Sequence, residues 1–336
     1  MISLIVPVYN EETHMERCVQ SIVAQDYPKD DMEVIFVDGM STDRTRPILS
    51  ALIAEYPFLR MIDEPRRTIS VAMNTGIRAA QGDIIIRLNA RTIIPANYVS
   101  ELVKHLNSLH ADNVGGVCKT LPANDTPLCK SIAAVLSSRF GMGNSYFRIG
   151  VDEIRQVDTV PLGCFRRSLF DKIGFYDEQL IRNQNDEFNG RIIKHDGRIY
   201  LLPHIAIGYY AQENTKQLWS LFYQYGLFKP LVNKKLGTPT NLRQFCPVLF
   251  VLGLALGALL ATWIRWIAVV FTLIVTLYIV IAFTISTERA RREHCRPMLY
   301  QMPWLFFVVH CGYGVGYLHG IYKLLTNGNF NTGLKR

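Results

Sequence analysis

Short β-branched runs and helix-patterned stretches alternate along the first half of this chain, and that rhythm constrains the fold more than any other feature. The strand candidates are Ser3–Val8, Glu33–Asp38, Leu59–Asp63, Asp83–Leu88 and Asn113–Cys118. Helical stretches lie near Glu12–Ala24, Arg44–Tyr56, Ser70–Ala80 and Asn97–Leu109. Such alternation predicts an α/β fold whose mainly parallel sheet carries helices on both faces. In such sheets ligands bind beyond the carboxyl ends of the strands. The residues that matter are then Tyr9, Asn10 and Glu11, Asp38 to Asp43, and Asn89 to Arg91.

Between Thr126 and Leu202 the pattern is mixed. A helix near Leu128–Phe140 precedes a glycine-punctuated stretch, Gly141–Asn144, that reads as a mobile loop. An apolar segment Val157–Phe165, a polar turn at Asn185, a helix near Glu187–His195 and a strand Arg198–Leu202 follow. Residues Thr215–Val232 set Leu218, Trp219, Leu221, Phe222 and Tyr225 among lysines. That fits a helix in a membrane interface or one packed on the soluble domain.

Phe245–Trp263 and Trp266–Ile285 each approach the roughly 20 apolar residues that a bilayer requires. Only Ile264 and Arg265 separate them, which implies a tight transmembrane hairpin. Met302–Tyr322 is a third candidate, in which Gly312, Gly316 and Gly320 form a doubled GxxxG ridge suited to close helix contact. His310 and His319 leave a re-entrant helix as the alternative. The expected organisation is a soluble domain over 1–212, an interfacial helix and linker over 213–244, a membrane region over 245–322 (about 245–263, 266–285 and 302–322) and a tail over 323–336.

The formal charge is +8, and Lys229, Lys234, Lys235, Arg243, Arg289, Arg291, Arg292 and Arg296 gather beside the apolar segments. That placement predicts an anionic membrane surface and a multi-pass protein of the inner (plasma) membrane with its soluble domain cytoplasmic. No aromatic-basic motif or zinc spacing supports nucleic acid as a partner. The 7 cysteines are scattered without a CxxC, which indicates reduced thiols. Met1–Pro7 lacks the basic and long apolar regions of a signal peptide and reads as a strand.

The strand ending in Tyr9-Asn10-Glu11 offers an aromatic face for a base and acceptors for its edge. Asp38 ends the next strand with a carboxylate able to bind ribose or base, and Ser41, Thr42 and Asp43 can cap the following helix. The ordered runs VPVYNEE, VDGMSTDRT and NTGIRAAQGDIIIRLNA resemble the family 2 glycosyltransferases of GT-A fold, over roughly Ile2 to Leu202. The segment from Val160 to Pro203, with the apolar tail, is similar to the succinoglycan-biosynthesis (ExoA) subgroup. The resemblance implies a nucleotide-diphospho-sugar transferase fold with C-terminal transmembrane helices. It implies inverting sugar transfer from a nucleotide-diphosphate sugar, most often a UDP-sugar, to a polyprenyl-diphosphate-linked saccharide at the lipid bilayer, and Gln224-Tyr225-Gly226-Leu227-Phe228, where processive relatives carry Gln-x-x-Arg-Trp, argues for addition of one sugar. It also implies that Pro7, Tyr9, Glu11 and Asp38 line a nucleoside pocket, that Arg67 lies near the base or phosphates, and that Asn74 and Gly76 pack the helix behind. Arg66 and Arg67 read equally well as solvated surface residues.

The chain departs from the family pattern at two places. The family's metal-holding triplet, Asp-x-Asp or Asp-Ala-His, is replaced by Asn89-Ala90-Arg91. An amide is a poor ligand for a hard cation and a guanidinium repels one, which argues against the magnesium or manganese that the resemblance implies. Either Arg91 takes the cation's place on the diphosphate, or it pairs with a nearby carboxylate. The second departure is at Asn185, where the resemblance implies the Asp that acts as general base; a carboxamide cannot take that proton. Asp186 is the favoured replacement, with Glu187 behind it, although acids in a first helical turn are also ordinary dipole partners. The alternative is a degenerate, low-activity sugar-nucleotide-binding or assembly protein. A dinucleotide oxidoreductase is excluded because no strand is followed by GxGxxG.

Overall fold

The computed structural model describes residues 1–330, so the end of the expected tail lies outside the described residues. In chain order the elements are β1 (Ile2–Val8), α1 (Glu12–Val23), β2 (Met32–Asp38), α2 (Thr45–Glu55), β3 (Leu59–Asp63), α3 (Ile69–Ala79), β4 (Ile84–Arg87) and α4 (Tyr98–Ser108). Then come β5 (Asn113–Leu121), α5 (Pro127–Leu136), α6 (Arg139–Met142), α7 (Tyr146–Ile149), β6 (Arg155–Gln156), β7 (Cys164–Arg166) and α8 (Ser168–Ile173). The last are α9 (Gln184–Lys194), β8 (Ile199–Tyr210), α10 (Thr215–Leu236), α11 (Cys246–Ala261), α12 (Arg265–Arg292) and α13 (Met298–Leu325). They form two units: Met1–Lys119 with Gly150–Tyr209, and Thr120–Ile149 with the chain from Tyr210 onward.

The first unit is built on an 8-stranded sheet of order β3-β2-β1-β4-β7-β5-β8-β6. Strands β3, β2, β1 and β4 run parallel. Helices bridge each of them, as the alternation predicts. β1 is internal and apolar on both faces, with Ile2, Leu4, Ile5 and Val6 buried, the pattern of a strand covered above and below. Helix α3 lies close against it because position 76 is glycine: a Cβ there would stand 2.4 Å from Ile5 Cγ2.

Beyond β4 the sheet is mixed, which corrects the mainly parallel expectation for its second half. β7 runs antiparallel to both β4 and β5, and β6 antiparallel to β8. The break in the apolar run is local, and the pairing of what remains is set by the neighbouring strands. The apolar segment Val157–Phe165 is interrupted by Pro161 and Gly163, and only Cys164–Arg166 pairs as a strand.

In the second unit the stretch Gly141–Asn144 is not a plain loop. The Ser138 hydroxyl accepts the Gly141 amide at 3.0 Å and caps α6, and the chain leaves that turn at Gly143 with φ +57°. Two helical segments, Leu242–Ala261 and Arg265–Arg292, are long and apolar enough to cross a membrane. Their side chains are largely exposed, Trp266 at 69% and Leu249 at 67%.

The region read as a third span lies within α13, and its glycine ridge packs on α10. A Cβ at Gly316 would stand 2.1 Å from the Tyr223 carbonyl oxygen, and one at Gly320 2.3 Å from that of Leu227. From the other side, a Cβ on Gly226 of α10 would stand 2.1 Å from the Tyr313 carbonyl oxygen. The helix read as interfacial is therefore the partner that the ridge contacts.

Candidate functional site

The carboxyl ends of β1, β2 and β4 and the amino end of α9 carry the residues that the sequence singles out. Pro7 pairs with Val37 near the end of β1, and Val8 with Asp38. The Arg67 guanidinium lies 4.9 Å over the Tyr9 ring, and its Nε donates to the Gly39 carbonyl at 3.0 Å. Gly39 lets the ring seat closely, since a Cβ there would meet Tyr9 Cδ2 at 3.3 Å. Asp38 is fully buried and accepts from the Ser41 amide at 3.0 Å and the Ser41 hydroxyl at 2.5 Å. Asn10, Met40, Arg67 and Asn183 all adopt left-handed φ between 53° and 60°. For residues with a side chain this conformation is costly and tends to gather at binding sites.

At the triplet, Asn89 is half-buried and its carbonyl accepts the Thr92 amide at 3.0 Å, closing a tight turn. Arg91 donates through Nε to both oxygens of Glu11, at 2.9 and 2.8 Å. Of the two readings of Arg91, the structure thus holds the carboxylate pair. Its strength is the deciding matter. Arg91 is 66% exposed and Glu11 15%, and exposed ion pairs are worth about 0–1 kcal/mol. An arriving diphosphate, with more charge and more acceptors, competes readily with Glu11 for this guanidinium.

A magnesium or manganese ion does not fit this donor set. Glu11 stands beside the Arg91 guanidinium, whose charge repels a cation, and Asp38 is buried and held by Ser41 and by Arg46 Nη1 at 2.6 Å. The triplet itself contributes an amide and a cation.

The turn opening α9 separates the three candidates. Asn185 accepts from Arg87 Nη1 through Oδ1 and donates from Nδ2 to the Pro161 carbonyl at 2.9 Å. These partners explain the amide: one neighbour is a donor and the other an acceptor, and a carboxylate would set an oxygen against the Pro161 carbonyl. Glu187 is buried and takes two hydrogen bonds from Arg191, from Nε at 2.6 Å and Nη2 at 2.9 Å. Arg191 also donates to the Ile173 and Phe175 carbonyls, so Glu187 anchors α9 to the segment after α8. Asp186, about 100° away on the helix from each neighbour, is half-buried.

Sequence reasoning missed two cations. Arg46 bridges Asp38 to Asp63, which it contacts at 2.7 Å, and these bonds hold the Asp63 carboxyl below its usual range. Arg87 is 2% exposed, lies 5.6 Å over the Tyr176 ring and has a buried Nε without a hydrogen-bond partner. Its signal was a charge ending the apolar run Ile84-Ile85-Ile86.

Arg66, read as a solvated surface residue, is 56% exposed and its guanidinium grips Glu64 at 2.9 Å. Hydrogen bonds from Arg66 hold the Glu64 carboxyl down at about 2. A depressed carboxylate stabilises the fold above its unfolded pKa, and that contribution is lost as pH falls through the folded value. Denaturant midpoints should therefore fall more steeply between roughly pH 4.5 and 2 for the native chain than for Glu64→Gln.

With this geometry in place, comparison with known proteins is specific. A model of glycosyl transferase family 2 matches residues 3–174. The chain is 25% identical over 330 residues to the dolichyl N-acetyl-alpha-D-glucosaminyl phosphate 3-beta-D-2,3-diacetamido-2,3-dideoxy-beta-D-glucuronosyltransferase of Methanococcus voltae, covering 96% of this chain and 97% of that protein. It is 29% identical over 269 residues to the succinoglycan biosynthesis protein ExoA of Rhizobium meliloti, covering 80% of each. Among solved structures, the mannosyltransferase PcManGT from Pyrobaculum calidifontis in complex with GDP-Man and Mn2+ superposes with a TM-score of 0.57 at 20% identity, over 94% of this chain and 86% of that one. That likeness bears on the fold, which is of the expected GT-A class.

Proposed function

This chain belongs to glycosyl transferase family 2 and is a glycosyltransferase, and from that premise we propose an inverting enzyme that adds one sugar from a nucleotide-diphosphate sugar to a lipid-linked saccharide. The observation that carries this reading is the stacked Arg67–Tyr9 pair beside buried Asp38, at the carboxyl ends of adjacent parallel strands. A planar base fits against the ring and guanidinium, ribose hydroxyls beyond it meet Glu11, and Asp38, held by Ser41 and Arg46, underlies the pocket. A UDP-sugar is the favoured donor.

Arg91 then serves the diphosphate in place of a cation, leaving Glu11 as it does so. Asp186 is the base that takes the acceptor hydroxyl's proton as that oxygen attacks the anomeric carbon. The nucleoside diphosphate leaves from the opposite face, which inverts the centre. Magnesium or manganese has no step in this scheme.

The acceptor is a polyprenyl-diphosphate-linked saccharide. The Methanococcus relative's name specifies a dolichyl-linked acceptor, and the apolar tail supports a shared bilayer. Only Thr262 to Ile264 separate α11 from α12, so both outer ends of that hairpin fall on one side. Those ends carry Lys234, Lys235, Arg243, Arg289, Arg291 and Arg292, and basic flanks favour the cytoplasmic face. Tethering raises the enzyme's effective concentration toward an acceptor that cannot leave the membrane.

The second reading, a sugar-nucleotide-binding protein of little turnover, draws on the locked Asn185 and the Arg91–Glu11 pair. A donor panel separates the two. Full-length protein in detergent, given lipid-linked acceptors, should release free nucleotide from at least one UDP-sugar, at rates within about fivefold with EDTA or manganese. Manganese dependence beyond a hundredfold removes Arg91 from the diphosphate-binding role, and donor binding without release establishes the second reading.

A further inference from the structure

On the first unit, away from the strand ends, two elements bring together three side chains that the transfer scheme does not use. Glu101 and His105 stand one helical turn apart on α4, and His204 projects from β8. Their ligand atoms all lie within 4.8 Å of one another, one such group among the described residues. Glu101 Oε2 lies 3.0 Å from His204 Nε2 and 3.5 Å from His105 Nδ1, and the two rings are 5.2 Å apart between centroids. The other carboxylate oxygen, Oε1, is held by Lys104 at 3.2 Å. That contact splits the carboxylate, leaving Oε2 to face the imidazoles.

We infer that Glu101, His105 and His204 form a zinc-type divalent cation site that ties α4 to β8. Two imidazoles and a carboxylate suit a borderline cation with an open fourth position, whereas magnesium and calcium prefer oxygen alone. Tetrahedral zinc places its ligand atoms about 3.3 Å apart, so the cluster closes by side-chain rotation without backbone movement. His105 Nδ1 lies 2.8 Å from the Glu101 carbonyl oxygen. Metal binding through Nδ1, the nitrogen that faces Glu101 Oε2, exchanges this carbonyl contact for the cation.

The position gives such a cation a structural role. Gly208 of β8 bridges to Ile93, just after the triplet, and His204 lies about 13 Å back along that strand. Pinning β8 to α4 steadies the strand that borders the donor side of the site.

Full-length protein stripped with chelator and titrated with zinc chloride against a chromogenic competitor should take up one tight equivalent and melt at a higher temperature. His204→Ala, at a half-exposed position, should lose at least a hundredfold in affinity and the thermal response. His110→Ala, outside the cluster, should retain both, and Glu101→Gln should behave as His204→Ala. Absence of a tight equivalent in the native chain, or equal affinity in His204→Ala, overturns the inference whatever the transferase activity.

Discussion

Asp186→Asn is expected to lower sugar transfer by a factor of about 10²–10⁴, the share that a positioned general base supplies, while donor affinity stays within a few-fold. Asn185→Asp, which returns the family's carboxylate, is expected to leave transfer within tenfold of native and to give no rescue of Asp186→Asn. The reason is the environment of position 185. Arg87, buried at 2% exposure, already bonds this side chain. A carboxylate there would form a close ion pair with a permanently charged guanidinium. Such a pair holds the acid ionised to low pH and weakens it as a base. Its second oxygen would also face the Pro161 carbonyl, where the native amide donates at 2.9 Å. Steady-state nucleotide release with a lipid-linked acceptor measures all three variants. A gain of a hundredfold in Asn185→Asp would show that the native chain has lost its base, and an unchanged rate in Asp186→Asn would remove Asp186 from the chemistry.

Much of the fold could be read from residue order because the signal there is local. β1 to β4 are apolar runs followed by amphipathic helices, and burial on both faces leaves little room for another arrangement. Tyr9, Glu11 and Asp38 announce themselves by standing where a strand stops. The less legible features depend on partners distant in sequence. Arg46 looks like a solvent-facing helix residue until β2 and β3 bring Asp38 and Asp63 beneath it. Arg87 and Asn185 share a hydrogen bond across 98 positions of sequence, and nothing near either position signals the other.

Glu187 illustrates the same limit. Acids at 186 and 187 read alike in sequence, yet the α9 rotation sends one to Arg191 in the interior and leaves the other half-buried. The turn to antiparallel pairing after β4 also follows from tertiary context. Pro161 and Gly163 break the apolar run, and the three residues that remain pair between β4 and β5.

The α10–α13 pair shows how a sequence pattern can be specific about contact and silent about the partner, and it carries the other large effect. Gly316→Val is expected to cost about 3 kcal/mol, at the upper end for overpacking, because its new Cβ meets the Tyr223 backbone, with the carbonyl oxygen at 2.1 Å, and no rotamer change relieves that. Gly253→Ala on α11 is the control, since a Cβ there meets nothing within 4 Å. It should instead gain about 1 kcal/mol of helix propensity. Thermal midpoints of the full chain in detergent should rank Gly253→Ala above native and native above Gly316→Val. Gly226→Val should resemble Gly316→Val, because the clash is reciprocal between the helices. The double variant should cost less than the sum of the two, as helices already forced apart have less contact left to lose. Full additivity would mean that the two glycines face different neighbours, and a Gly316→Val midpoint equal to native would place α13 away from α10 altogether.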